Sequence, residues 1–138
     1  MTKTRKWLDR LPVGLTTTLV TLAILWLTLA PKPLPDNTLP LIPGIDKIAH
    51  ACMFGGLTFA IMFDIALRQR KKHIGQHYSK PAYVAIAVAV TAFGAVTELL
   101  QAAGTARSGD PADLAADIVG CGVALLVSPA VVRLIMGR

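Results

Sequence analysis

Charged side chains make up only 16% of this 138-residue chain, where soluble domains carry roughly 25%. Acidic residues are the scarcest, eight against fourteen Lys and Arg, and there are only two cysteines, Cys52 and Cys121, neither in a Cys-x-x-Cys pair. The low charge argues against a soluble globular domain, and the cysteine count excludes a disulfide framework. At 14.6 kDa the chain is one domain's worth, too short for separate catalytic and regulatory domains. His-Glu-x-x-His is absent, and no Ser or Cys nucleophile stands beside a base in the motifs described below.

What the chain has instead is apolar residues, 54% of the total, gathered in long blocks. Pro12 and Pro31 bracket Val13 to Ala30, eighteen uncharged residues that as helix would span about 27 Å, close to the hydrocarbon thickness of a bilayer. Further blocks run over about 46–67, 82–103 and 112–136. Together they predict an all-α, four-transmembrane-helix bundle forming a single domain over 1–138, with Pro129 kinking or shortening the last helix. Thr28-Leu29-Ala30 only weakly resembles a signal-peptide cleavage site, so the first block is read as an uncleaved span. The Pro-rich stretch from Pro31 to Gly44 reads as an extended external loop.

Basic residues set the expected orientation. Lys3, Arg5, Lys6 and Arg10 precede the first block, Arg68, Arg70, Lys71, Lys72 and Lys80 fall between the second and third, and Arg133 and Arg138 close the chain. Lys32, Lys47 and Arg107 fall on the other side. The positive-inside rule then places both termini and the middle loop in the cytoplasm. The net charge of +6 is a topology signal with some attraction to anionic lipid, and it does not call for nucleic acid. His73 and His77 have Gly75 between them and no acidic or Cys ligand nearby, which reads as a solvated loop. Asp64 and Arg68, at i and i+4, are expected to pair at the inner interface.

The remaining polar residues sort by depth. With the helical rise of about 1.5 Å, Asp46 and Lys47 lie at the outer mouth of the second helix and His50 about 6 Å deeper. Glu98 lies about 8 Å below the outer end of the third helix, with Gln101 one turn above it on the same face. Asp110 and Asp113 open the fourth helix, and Asp117 follows one turn further in. Asp46, Asp110 and Asp113 also suit helix capping, the last as in a capping box. Gln101 and His50 also suit hydrogen bonding between helices. Glu98 and Asp117 are too deep to cap their own helices, and a carboxylate within a span needs a cation, a proton or a partner. His50, Lys47 and Arg107 are the candidates. Gly55-Gly56, Gly94 and Gly120 with Gly122 are expected to ease helix packing.

These residues fall into three strings. Asp46-Lys47-Ile48-Ala49-His50, followed by Phe54, resembles the D-K-x-x-H-x-x-x-F signature of VanZ-like membrane proteins. Glu98-Leu99-Leu100-Gln101 resembles their E-x-x-Q, and Arg107-Ser108-Gly109-Asp110-Pro111-Ala112-Asp113, with Asp117 and Gly120, resembles their R-x-x-D-x-x-D-x-x-x-N-x-x-G segment. The strings come in the right order over about residues 44–125. Asp117 stands where Asn is common, and Ala124 where a further Gly is usual. The resemblance implies a small integral protein of the bacterial cytoplasmic membrane, in a family named for low-level teicoplanin resistance. Resistance itself is not carried over to this chain. What carries over is the polar set Asp46, Lys47, His50, Glu98, Gln101, Arg107, Asp110, Asp113 and Asp117.

Function is expected to reside in that set. The leading expectation is an outer-leaflet pocket that binds a lipid-linked or peptidoglycan-related anion, gripped by Arg107 and Lys47 at the rim. Membrane lipids and a lipid-linked envelope precursor are then the expected partners, with no cofactor and no assigned metal. One alternative is an intramembrane enzyme that uses Glu98, His50 and Asp117 as acid, base or metal ligands. The other is a small proton-coupled transporter.

Overall fold

A computed structural model describes residues 6–30, 42–104 and 109–137. Helix α1 spans Lys6–Arg10, α2 Leu15–Leu29, α3 Ile45–Lys71, α4 Lys80–Gly104 and α5 Pro111–Met136. The described residues contain no strand, so the all-helical expectation holds. Among them, α3, α4 and α5 are long and apolar enough to cross a membrane, while α2, at 15 residues, is a shorter apolar helix. The architecture is compatible with a multi-pass membrane protein.

Local sequence explains the boundaries. α2 begins two residues later than its apolar block because Gly14, just after Pro12, takes a left-handed conformation at φ 90°. Gly44 does the same for α3 at φ 79°. Asp46 is therefore not the N-cap expected of it; it lies in the first turn of α3 and is exposed. For α4, the Ser79 hydroxyl accepts from the Ala82 N–H at 3.3 Å, and Pro81 occupies the first turn, where a missing N–H costs nothing. For α5, Asp110 is the N-cap as expected, accepting from Ala112 N–H at 2.9 Å with Pro111 next. Pro129 lies within α5 without ending it.

α3 is the hub, packed against each of the other four helices and most extensively against α5. One apolar cluster gathers Ile24, Phe54, Leu57, Met62, Ile86, Val90 and Cys121, joining α2 to α5 through α3. A second gathers Leu8, Phe63, Ala66, Leu67, Val132 and Met136 at the end where α1 sits. Outward faces of α4 and α5 remain apolar, with Val84, Val88, Leu99, Val119, Val123 and Leu126 exposed. A soluble monomer would rarely present so much apolar surface, whereas lipid requires it.

Asp64 does not pair with Arg68. It is buried, and its Oδ2 accepts from the Thr17 N–H at 2.8 Å and the Thr17 hydroxyl at 2.7 Å. The carboxylate thus satisfies an orphan amide in the first turn of α2 from a neighbouring helix, where the positive end of the helix dipole favours it. Arg68 is exposed. Cys121 is buried in the core, whereas Cys52 is exposed.

The α3–α5 contact is set by backbone proximity. A Cβ on Gly120 would stand 2.0 Å from the Ala51 carbonyl oxygen, and one on Gly55 would stand 3.1 Å from the Gly120 oxygen. Gly56 and Gly122 have nothing within 4 Å and play no part in it. Gly120→Ala should therefore force the helices apart and cost about 1–3 kcal/mol. Gly122→Ala should be neutral or stabilising by up to about 1 kcal/mol. Reversible unfolding of both variants in mixed detergent micelles would read the contrast.

Candidate functional site

Close approach of α3 and α5 brings the start of one alongside the start of the other. Lys47, in the first turn of α3, places its ammonium among three carboxylates. Its Nζ lies 2.7 Å from Asp46 Oδ2, 2.6 Å from Asp110 Oδ2 and 2.7 Å from Asp113 Oδ1. One turn deeper on α3, His50 meets α5 twice: Nδ1 is 3.0 Å from Asp117 Oδ1 and Nε2 is 3.5 Å from Asp113 Oδ2. Asp113 thus uses one oxygen for Lys47 and the other for His50. The expected capping box does not form, because the Asp113 side chain is committed to Lys47 and His50 and Glu98 takes the Asp110 amide.

Polarity and burial change together along this chain of charges. Asp46 is exposed, Asp113 is half-buried, and His50 and Asp117 are buried at 7% and 2% exposure. The His50 ring lies parallel to Phe54, centroids 6.4 Å apart, and Phe54 in turn leans on Phe93 of α4. Gly94 of α4 supplies room: a Cβ there would come within 2.8 Å of Asp117 Oδ2 and 3.2 Å of Phe54. Sequence reasoning assigned Gly94 to helix packing, but its missing side chain also makes space for a carboxylate.

Glu98 and Gln101 of α4 are placed differently. Glu98 Oε1 accepts from the Asp110 N–H, the amide of the N-cap residue of α5. Glu98, expected to be too deep to cap its own helix and to need His50, Lys47 or Arg107 as partner, instead finds a backbone amide at the start of a neighbouring helix. Among the described residues Glu98 bonds neither Lys47 nor His50. Gln101, 3% exposed, donates through Nε2 to the Thr28 carbonyl at 2.7 Å. That carbonyl is in the last turn of α2, where helix geometry leaves oxygens without partners. Gln101 thus ties α4 to α2, away from the ion cluster. Arg107 lies outside the described residues. Thr28, which sequence reasoning missed, is 1% exposed; its signal was a lone threonine near the end of the run, well separated from the four that cluster at its start.

The cluster is acidic overall: Asp46, Asp110, Asp113 and Asp117 contact Lys47 or His50, and Glu98 holds the Asp110 amide beside them. Asp46, Asp110 and Asp113 offer oxygens within 4.8 Å of one another, a donor set suited to a divalent ion. The Lys47 ammonium bonds all three of these residues and supplies the compensating cation from the chain itself. Outside the helices, the Lys47 hydrogen bond, helped by the Ala112 amide, holds the Asp110 carboxyl below its ordinary value of 3.8.

Two outcomes follow. A carboxyl whose pKa is lowered on folding stabilises the fold above its unfolded value and loses that contribution as pH falls through the folded one. Melting temperature should therefore drop below about pH 4, and Lys47→Met should start lower and show a shallower acid decline. His50→Ala leaves Asp117 buried without its partner and should cost about 3–5 kcal/mol in unfolding experiments. Adding Asp117→Asn should recover part of that loss.

No known family model matches the chain, and neither does any curated protein or solved structure.

Proposed function

We propose that this chain is a VanZ-like protein of the bacterial cytoplasmic membrane whose polar cluster binds the head of a lipid-linked or peptidoglycan-related anionic ligand at the outer face. The observation that carries this reading is the run of ion pairs from exposed Asp46 through Lys47, Asp113 and His50 to buried Asp117. An anchor needs no such inward path, and ionisable groups inside a span are costly enough to point to function. In this reading α2 is the first of four spans, and both termini are cytoplasmic. The distribution of Lys and Arg supports that orientation.

The charge balance refines the ligand. Lys47 already satisfies three carboxylates, so an anion gains Lys47 only by exchanging with one of them. The exposed pair, Asp46 and Asp110, is the cheaper to displace. Arg107 is the second cation assigned to the anion, by a bidentate grip that suits phosphate or carboxylate. A surplus of carboxylates also favours a ligand that carries an amine beside its anion, as peptidoglycan-related head groups can.

Binding of fluorescently labelled lipid-linked envelope precursor to purified protein in nanodiscs tests the reading. Arg107→Ala should weaken binding roughly tenfold. Equal binding by variant and wild type would overturn it.

A second reading is favoured by one specific contact. Asp117 on His50 Nδ1 at 3.0 Å is the arrangement that orients an imidazole for proton transfer. Release of phosphate or a head group from the same precursor, lost in His50→Gln while binding persists, would establish an enzyme. Binding with no turnover would leave the pocket as a receptor.

A further inference from the structure

The end of the molecule opposite the acidic cluster carries a feature that sequence reasoning did not foresee, the short helix α1. Its Leu8 is fully buried against Phe63, Ala66, Leu67, Val132 and Met136. Two polar ties hold it there. Asp9 accepts from Arg70 Nε at 2.9 Å, and Lys71 Nζ donates to the Leu11 carbonyl at 2.5 Å. Arg70 also donates to the Met136 carbonyl at 3.2 Å, so a single guanidinium links α1 to α3 and α5. α1 is thus fixed across the end of the bundle.

This fixation sorts the charges. Lys6 and Arg10, at i and i+4, share the face of α1 opposite Leu8, and both are exposed. Arg68 and Lys72, also at i and i+4, are exposed on the last turn of α3 and its cap. None of the four has an acidic partner among the described residues. The two acids at this end are already engaged, Asp9 by Arg70 and Asp64 by Thr17. Beside the cations lie exposed apolar groups, Trp7 at 52% and Val13 at 45%. Cations over an exposed indole and aliphatic flank form the pattern of a segment lying in the membrane interface, with its charges at head-group phosphate level.

We infer that α1 and the adjoining end of α3 form an in-plane docking surface for acidic phospholipid head groups. Lys6, Arg10, Arg68 and Lys72 contact the phosphates, and Trp7 enters the boundary between head groups and chains. Topology alone would be satisfied by basic residues in a loose tail. Here Leu8, Arg70 and Lys71 hold α1, and with it Lys6 and Arg10, against the end of α3 that carries Arg68 and Lys72. The inference is independent of what the acidic end binds.

Trp7 and Trp26 are the chain's two tryptophans, so full-length Trp26→Phe protein reports on Trp7 alone. It would be reconstituted in phosphatidylcholine vesicles doped with equal mole fractions of chain-brominated phosphatidylglycerol or chain-brominated phosphatidylcholine. Quenching of Trp7 should show the anionic lipid locally enriched, by roughly fivefold. Lys6→Gln, Arg10→Gln, Arg68→Gln and Lys72→Gln combined should bring the two lipids to parity, and Arg70 and Lys71 are left intact to preserve the α1 ties. Molar salt should do the same without any substitution. Equal quenching by both lipids at low salt, or a preference that survives both the substitutions and the salt, would overturn the inference.

Discussion

The approach of α5 to α3 at Gly120 is the contact on which the rest of the structure depends. No side chain fits between Gly120 and the Ala51 carbonyl, so the two backbones run side by side with their charged positions in register. Lys47 and His50, three apart on α3, then match Asp113 and Asp117, four apart on α5. Each spacing is close to one helical turn, so a lysine, a histidine and two carboxylates alternate down the seam. A larger residue at 120 would separate the helices and leave the lower pair, His50 and Asp117, as unpartnered polar groups in an apolar setting.

The other helices serve this seam from different directions. α4 gives it space at Gly94 and an acceptor at Glu98, whose bond to the Asp110 amide fixes the chain entering α5. α2 reaches it only indirectly, through Thr28 and Gln101 at one end and Thr17 and Asp64 at the other. Each tie pairs a buried polar side chain with a helix terminus, where backbone groups are left without partners. Hydroxyls inside α2 meet their own backbone instead, as Thr28 does with the Ile24 carbonyl at 2.7 Å.

Much of this could be read from the residues, for reasons that also explain the rest. Apolar runs bounded by Pro and Gly located the helices, three of them long enough to cross a membrane and α2 shorter at 15 residues, because a long uncharged run has to be buried along its length. Counting helical rise gave the polar layer, because depth follows from position along a helix. Azimuth does not follow in the same way. Glu98 and Gln101 share a side by spacing, yet one turns to α5 and the other to α2. Asp64 was matched to Arg68 by a local rule, while its partner Thr17 lies 47 residues away. α1 has too few residues to show any periodicity, so only its packing reveals it.

The short length of α2 has a consequence for the surrounding lipid. Fifteen residues of helix measure about 22 Å, while the 25 to 27 residues of α3, α4 and α5 measure about 37–40 Å. Under the proposed reading, with α2 as the first of four spans, the bilayer would thin or the bundle tilt to relieve this mismatch, leaving a step in the leaflet beside α2. Trp26, 64% exposed, lies near the C-terminal end of α2. Gln101 joins this end of α2 to α4, one turn from Glu98. Under that reading, head groups drawn down beside α2 would approach the level of the polar seam.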